Sequence, residues 1–255
     1  MKTVLMAVVA PTALLAGGLG AAGYADSGPD VATSDRPPPK VVRLGDARLK
    51  FEINATDRDG GVQVFLDADQ WKRMSIYDPK GHRIFTSVAA GIMGKQGGTE
   101  LFMESGEPTF KDLPLPQLLD RWPAGKYTFR GRGLDGERLV GSARLTHHLP
   151  KGPELIAPVE GAEPQDPAAT VLRWHRAPPP KGSRIIAYQV LVVDPETGVR
   201  ALPKITLDVM MPPRANHFRI PRGFLKPDTE YEWEILAIEA SGNQTLSSST
   251  FTTTR

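Results

Sequence analysis

The chain of 255 residues contains no cysteine. That absence excludes disulfides, thiolate metal centres, thiol nucleophiles and a lipidated cysteine at a leader junction. Charge of one dominant sign is also missing, since 31 Lys and Arg stand against 29 Asp and Glu, a formal net of +2. Residues 1–25 hold a single charged side chain, Lys2, so the rest of the chain is balanced too. A balanced total gives no reason to expect nucleic acid or an anionic membrane surface as a partner. Beyond the first two dozen residues, no apolar run is long enough to span a bilayer as a helix. No serine sits in Gly-x-Ser-x-Gly, and no glycine run matches a phosphate-binding loop. What the chain has in quantity is glycine (25) and proline (24), the residues of turns, alongside 40% hydrophobic residues for a core. Its length suits two domains of about 100 residues.

Met1-Lys2-Thr3 is a short cationic start, and residues 4–15 are apolar apart from Pro11 and Thr12. A Gly/Ala run follows and ends Gly23-Tyr24-Ala25, with small residues at the −3 and −1 positions of a signal-peptidase site. Residues 1–25 therefore read as a signal peptide, cleaved after Ala25, and the protein as secreted or periplasmic. The rival is an uncleaved anchor, which would be the chain's one contact with a membrane. Four glycines and Pro11 weaken it as a spanning helix. Residues 26–44 have almost no aromatic or β-branched content before Val41 and read as a flexible linker.

From residue 153 onward, short alternating stretches are separated by proline and glycine loops. Val171-Leu172-Arg173-Trp174, residues 185–193, His217-Phe218-Arg219-Ile220, residues 231–239 and residues 248–254 read as strands. Asp194-Pro195-Glu196-Thr197-Gly198 reads as a turn, because proline presets φ and glycine accepts a positive one. About seven short strands in about 100 residues imply two packed antiparallel sheets. The inward set includes Trp174, Tyr188, Val190, Val192, Phe218, Ile220, Trp233 and Phe251. Leu225-Lys226-Pro227-Asp228-Thr229-Glu230-Tyr231 resembles the tyrosine corner of fibronectin type III domains. Pro158, Trp174, Tyr188, Gly242 and Phe251-Thr252-Thr253-Thr254 fall where that family has them. The resemblance covers residues 153–255 and implies a structural role for Leu225, Pro227, Tyr231 and Trp233. The integrin-binding Arg-Gly-Asp of some such modules is absent, since the order here is Arg58-Asp59-Gly60.

Residues 45–150 repeat the pattern less clearly. Leu49, Phe51 and Ile53 alternate, as do Val62, Val64 and Leu66. Residues 71–77 and 83–88 flank the hairpin turn Asp78-Pro79-Lys80-Gly81, and residues 139–145 form a further strand. Residues 115–121 are the one helix candidate, stopped by Pro123. Pro123-Ala124-Gly125-Lys126-Tyr127 lines up with Pro227-Asp228-Thr229-Glu230-Tyr231, and Phe129 with Trp233. An internal repeat of this kind implies a second sandwich, immunoglobulin-like or fibronectin-like. The predicted fold is thus all-β, with two tandem β-sandwich domains joined by a short, proline-stiffened segment at residues 147–153. The whole chain resembles secreted bacterial proteins that pair such a domain with a type III module, which supplies no reaction.

Chemistry-bearing groups are sparse. Asp57 and Asp59 form a weak calcium candidate, although an EF-hand's terminal glutamate is missing and an acidic turn accounts for them as well. Glu100, Glu104 and Glu107 are close in sequence, but a glycosidase needs two carboxylates set across a cleft. His147 and His148 point to opposite faces of any strand, and the other histidines lack ligand spacing. Asn54-Ala55-Thr56 and Asn243-Gln244-Thr245 are sequons, relevant only in a glycosylating host. The reading has no cofactor, no metal beyond that candidate and no catalytic residue. A candidate interaction surface lies instead at Leu191, Val193, Leu236 and Ile238, four apolar side chains on the outer face of neighbouring strands; the rival reading is that the first domain or a proline loop covers them. The expected role is a non-catalytic interaction or structural module of the cell envelope, its partner another envelope protein or a glycan. A carbohydrate-binding module would need exposed aromatics, with Trp71, Trp122, Tyr77 and Phe102 available. A hydrolase would need a pocket lined by Glu100, Glu104 and His82.

Overall fold

The computed structural model describes residues 37–196, 201 and 204–255. The leader with its cleavage site, residues 26–36 of the expected linker and the tip of the turn at 194–198 lie outside them. The first domain contains β1 (Val41–Arg43), β2 (Asp46–Asn54), β3 (Asp59–Tyr77), β4 (Arg83–Val88), α1 (Gly91–Gln96), β5 (Gly98–Glu104), α2 (Leu115–Arg121), β6 (Gly125–Gly133) and β7 (Arg138–Leu145). Val41–Arg43 belongs to the segment expected as a linker. It pairs in parallel with β7 instead, because Val41 and Val42 favour extended backbone and β7 would otherwise be an open edge.

β3 organises this domain. The alternations at Val62–Leu66 and Trp71–Tyr77 read in sequence as two strands, but the structure runs them together as one strand of 19 residues. Its first part pairs with β2 and β5, and its second part with β4 and β6. Register slips occur between Asp67 and Trp71 and between Trp71 and Arg73. The side chains record the same slips. Val62, Val64, Leu66 and Ala68 face the core in one phase, Trp71 in the next, and Met74 and Ile76 in a third. An extra residue in one strand bends it and sharpens its twist, so β3 carries the chain from one layer to the other. Leu49, Phe51, Tyr127, Phe129, Leu139 and Leu145 fill the space between, with Leu118 of α2.

The second domain contains β8 (Glu154–Ala157), β9 (Val171–His175), β10 (Ile185–Val193), β11 (Ile205–Met211), β12 (His217–Arg219), β13 (Glu230–Glu239) and β14 (Gln244–Thr252). β12, β9 and β8 form one antiparallel sheet, and β11, β10, β13 and β14 run in order within the other. Three strands against four is the fibronectin type III arrangement that the tyrosine-corner motif implies. Trp174, Tyr188, Tyr231 and Trp233 are fully buried between the sheets. The Tyr231 hydroxyl accepts the Lys226 N–H at 2.9 Å, and the Trp233 indole N–H donates to the Pro158 carbonyl at 2.9 Å. Tyr127 repeats the device in the first domain, its hydroxyl donating to the Pro123 carbonyl at 3.1 Å. Both tyrosines thereby tie the start of a strand to backbone four or five residues upstream.

One sheet runs through both cores. β14 pairs in parallel with β2, matching Gln244 to Glu52, Thr245 to Ile53 and Leu246 to Asn54. The intervening segment passes so close that a side chain at Gly152 would meet the Ala55 Cβ and the Ser247 Oγ, each at 2.6 Å.

Candidate functional site at the domain junction

Period two in β2 decides what the junction contains. Phe51 and Ile53 point into the first core, so Lys50 and Glu52 point to the opposite face. Pairing places Gln63 of β3 beside Lys50, and Glu104 of β5 beside Gln63. The chain after β5 then folds back and lays Glu107 over Gly61, the residue opposite Glu52. A Cβ at Gly61 would stand 3.0 Å from the Glu107 Cγ and 2.7 Å from the Ser105 Oγ, so glycine makes the room. As a result Glu52, Glu104 and Glu107 present carboxylate oxygens within 4.8 Å of one another.

Protons and one ammonium offset this concentration of negative charge. Glu107 is pushed up to about 8, first by burial and then by the charges of Glu104, Glu52 and Asp59. It is therefore protonated at neutral pH and can donate its hydrogen to Glu104. Burial raises Glu104 as well, reinforced by Glu52. Lys50 lies among these groups with its Nζ 2.7 Å from the Gln244 Oε1, and burial lowers its pKa against the pull of Glu52.

The second domain closes the site with three consecutive residues. Asn243 accepts the Phe51 N–H at 2.9 Å and donates to the carbonyls of Thr146 at 3.0 Å and His148 at 3.2 Å. Gln244 accepts from Lys50 and donates to Glu52. Thr245 donates to the Pro150 carbonyl at 2.7 Å. All three are buried, so the sequon they form is closed in the folded protein. On β13, Glu234 is pushed up to about 8 by burial, and then by Glu232, Glu52 and Asp57. The junction is a polar, largely buried seam.

Other residues singled out from sequence take different places. Asp57 sits in the turn between β2 and β3, where the Asn54 side chain accepts the N–H groups of Thr56 and Asp57, each at 2.9 Å. Asn54 also donates to the Asp57 carboxylate at 3.3 Å. Asp59 opens β3 and bridges Thr109. Among the described residues, the three acidic groups close enough together to grip one ion are Glu52, Glu104 and Glu107.

Leu191, Val193, Leu236 and Ile238 do share one sheet face, but it is not an open surface. Leu191, Val193 and Leu236 are only 5%, 6% and 3% exposed, and Ile238 is half-buried. Leu246 of β14 and Ile205 of β11 pack with Leu191 and Leu236 into a small core of their own. Trp71 is 5% exposed and so forms no aromatic platform with Trp122. His82 caps the β3–β4 hairpin beside Asp78, whereas Glu104 pairs near the far end of β3, so no pocket unites them. Glu52 escaped sequence reasoning because only the alternation in β2 hints that it leaves the core.

No family model matches the chain, and no curated protein does. Solved structures do. The chain is similar to fibronectin(III)-like modules of Clostridium thermocellum CbhA at 9% identity and a TM-score of 0.34, over 83% of this chain and 93% of that one. It is also similar to the chicken CNTN1 FN1–FN3 domains at 11% identity and a TM-score of 0.32, over 85% and 69%.

Proposed function

We propose that the chain is a non-catalytic, exported module of the cell envelope whose two sandwiches act as one stiff interaction or structural unit. The observation that supports this is the junction. Strand pairing between β14 and β2, and the Asn243-Gln244-Thr245 network, hold the domains through buried hydrogen bonds rather than a free hinge. A multidomain chain without such contacts would be expected to flex. The carboxylates at the junction do not have the disposition of a glycosidase pair, which face each other across a substrate. Glu52 and Glu104 stand on one sheet, Glu107 folds over it from the chain after β5, and the three carboxylates come within 4.8 Å of one another.

Affinity capture of envelope proteins and glycans with the exported chain tests the reading. The expected outcome is a stable, saturable partner retained without turnover. Multiple turnover of a glycan or peptide, abolished by Glu104→Gln, would replace it with a catalytic one.

A further inference from the structure

The balanced net charge conceals a segregation. The layer of the first domain made by β4, the second part of β3, β6, β7 and β1 turns its inner side chains to the core. Its outer side chains are set by register. One row across the layer runs Val88, Arg73, Arg132, Arg138, Val41, on five adjacent strands. The next contains Arg130 and Arg43, and Arg144 and Lys126 lie beyond. All of these cations are exposed. No Asp or Glu occurs on β1, β4, β6, β7 or on β3 after Asp69. Among the described residues, none of these arginines has an ion-pair partner. Arg130 lies over the Tyr77 ring at 4.7 Å.

Like charges directly opposite on neighbouring strands oppose sheet formation. Three arginines in one row therefore destabilise the isolated domain, and an anionic partner would relieve that repulsion. The rim narrows the choice. Val41, Ile84, Val88, Ile92 and Met93 are all the exposed large hydrophobic residues described in the first domain, and all lie on β1, β4 or α1. Val88 and Val41 end the arginine row itself. Ile92, at 81% exposed, and Met93, at 51%, follow β4 on α1. A soluble polyanion offers nothing to such side chains. The interface of an anionic bilayer takes both the cations and the apolar rim. Five strands at about 4.8 Å spacing make a face roughly 19 Å wide, enough to cover several headgroups.

We infer that this outer face is a docking surface for an anionic lipid bilayer, with the arginine row over the headgroups and the apolar rim inserted beside them. The inference does not rest on the junction or on the reading proposed above, because no junction residue lies on this face.

Vesicle flotation of the full chain tests it, comparing phosphatidylglycerol–phosphatidylcholine mixtures with pure phosphatidylcholine. A hydrophobic leader, if retained, binds both, so the difference between them reports the face. Binding should favour the anionic vesicles and weaken steeply with salt. Combined Arg73→Ser, Arg132→Ser and Arg138→Ser should reduce that partition about 100-fold, at roughly fivefold per cation. Ile92→Ser with Met93→Ser should reduce it several-fold, and neither variant should lower the melting temperature. Equal binding to both vesicles, or a triple variant within twofold of the parent, would overturn the inference. So would dextran sulfate binding as tight as vesicle binding and untouched by the Ile92 and Met93 changes, which would make the face a site for a soluble polyanion.

Discussion

Replacing Asn243 by alanine tests the junction most directly. Asn243 is 1% exposed, and its amide is the acceptor for the Phe51 N–H at the centre of β2. Phe51 is itself fully buried, so that N–H would be left without a partner. A buried donor stranded in this way costs about 1–3 kcal/mol. The same substitution removes the donors to the carbonyls of Thr146 and His148. Each lost bond adds about 0.5–1 kcal/mol where water cannot fully replace it. The total is about 2–5 kcal/mol, or a melting temperature lower by about 4–20 °C in a protein of this size. Differential scanning calorimetry reads the shift, and tryptophan emission assigns it, since Trp71 and Trp122 lie in the first domain and Trp174 and Trp233 in the second. The parent should unfold in one transition and Asn243→Ala in two. Asn243→Asp should do no better than alanine, because a carboxylate would face two carbonyls and Glu239. An alanine variant within 0.5 kcal/mol of the parent, still melting as one unit, would refute the reasoning.

Three further outcomes follow from the same structure. Glu107 and Glu234 hold protons in the folded chain up to about 8, against about 4.5 when unfolded. Between these values the folded state binds more protons, so stability is fully present below pH 4.5 and falls as pH rises toward 8. Melting at pH 5.5 should exceed melting at pH 8, with the difference reduced in Glu107→Gln and Glu234→Gln. Solvent screening at half-buried Glu107 should make its share the smaller. Tyr231→Phe strands the Lys226 N–H and should destabilise by about 1–3 kcal/mol in urea titration, whereas Tyr127→Phe frees only a carbonyl and should cost less. Leu236→Ser buries a hydroxyl and opens a void beside Leu191 and Leu246, so it should cost about 2–4 kcal/mol and leave association measured by sedimentation unchanged.

Much of the architecture was legible from local chemistry. The Asp78–Gly81 hairpin, the helix over residues 115–121, the tyrosine corner and its echo at Tyr127 each depend on residues a few positions apart. Turn preferences, a helix-stopping proline and period-two alternation report such features reliably. Legibility failed where one strand was read as two, because β3 changes its inward phase twice and each change looks like an ending. It stopped short again at Leu191 and Leu236, correctly placed on the outer face but left open between a free surface and a covered one. Alternation assigns a side chain to a face and says nothing about what lies over it.

The amino-acid sequence alone determined that this is a cysteine-free, all-β chain whose second half resembles a fibronectin type III domain. The first two properties follow from composition, alternation and turns, which act over a few residues, and the third from the likeness of the tyrosine-corner motif. Tertiary structure decided what the pieces make together. Only strand register joins β2 to β14, brings Glu52 of β2 to Glu104 and Glu107 at and just beyond the end of β5, and aligns Arg73, Arg132 and Arg138 in one row. A net charge of +2 cannot reveal that acids collect at the junction and arginines on the far layer, because a sum carries no positions. Hydrogen bonding between distant strands supplies them.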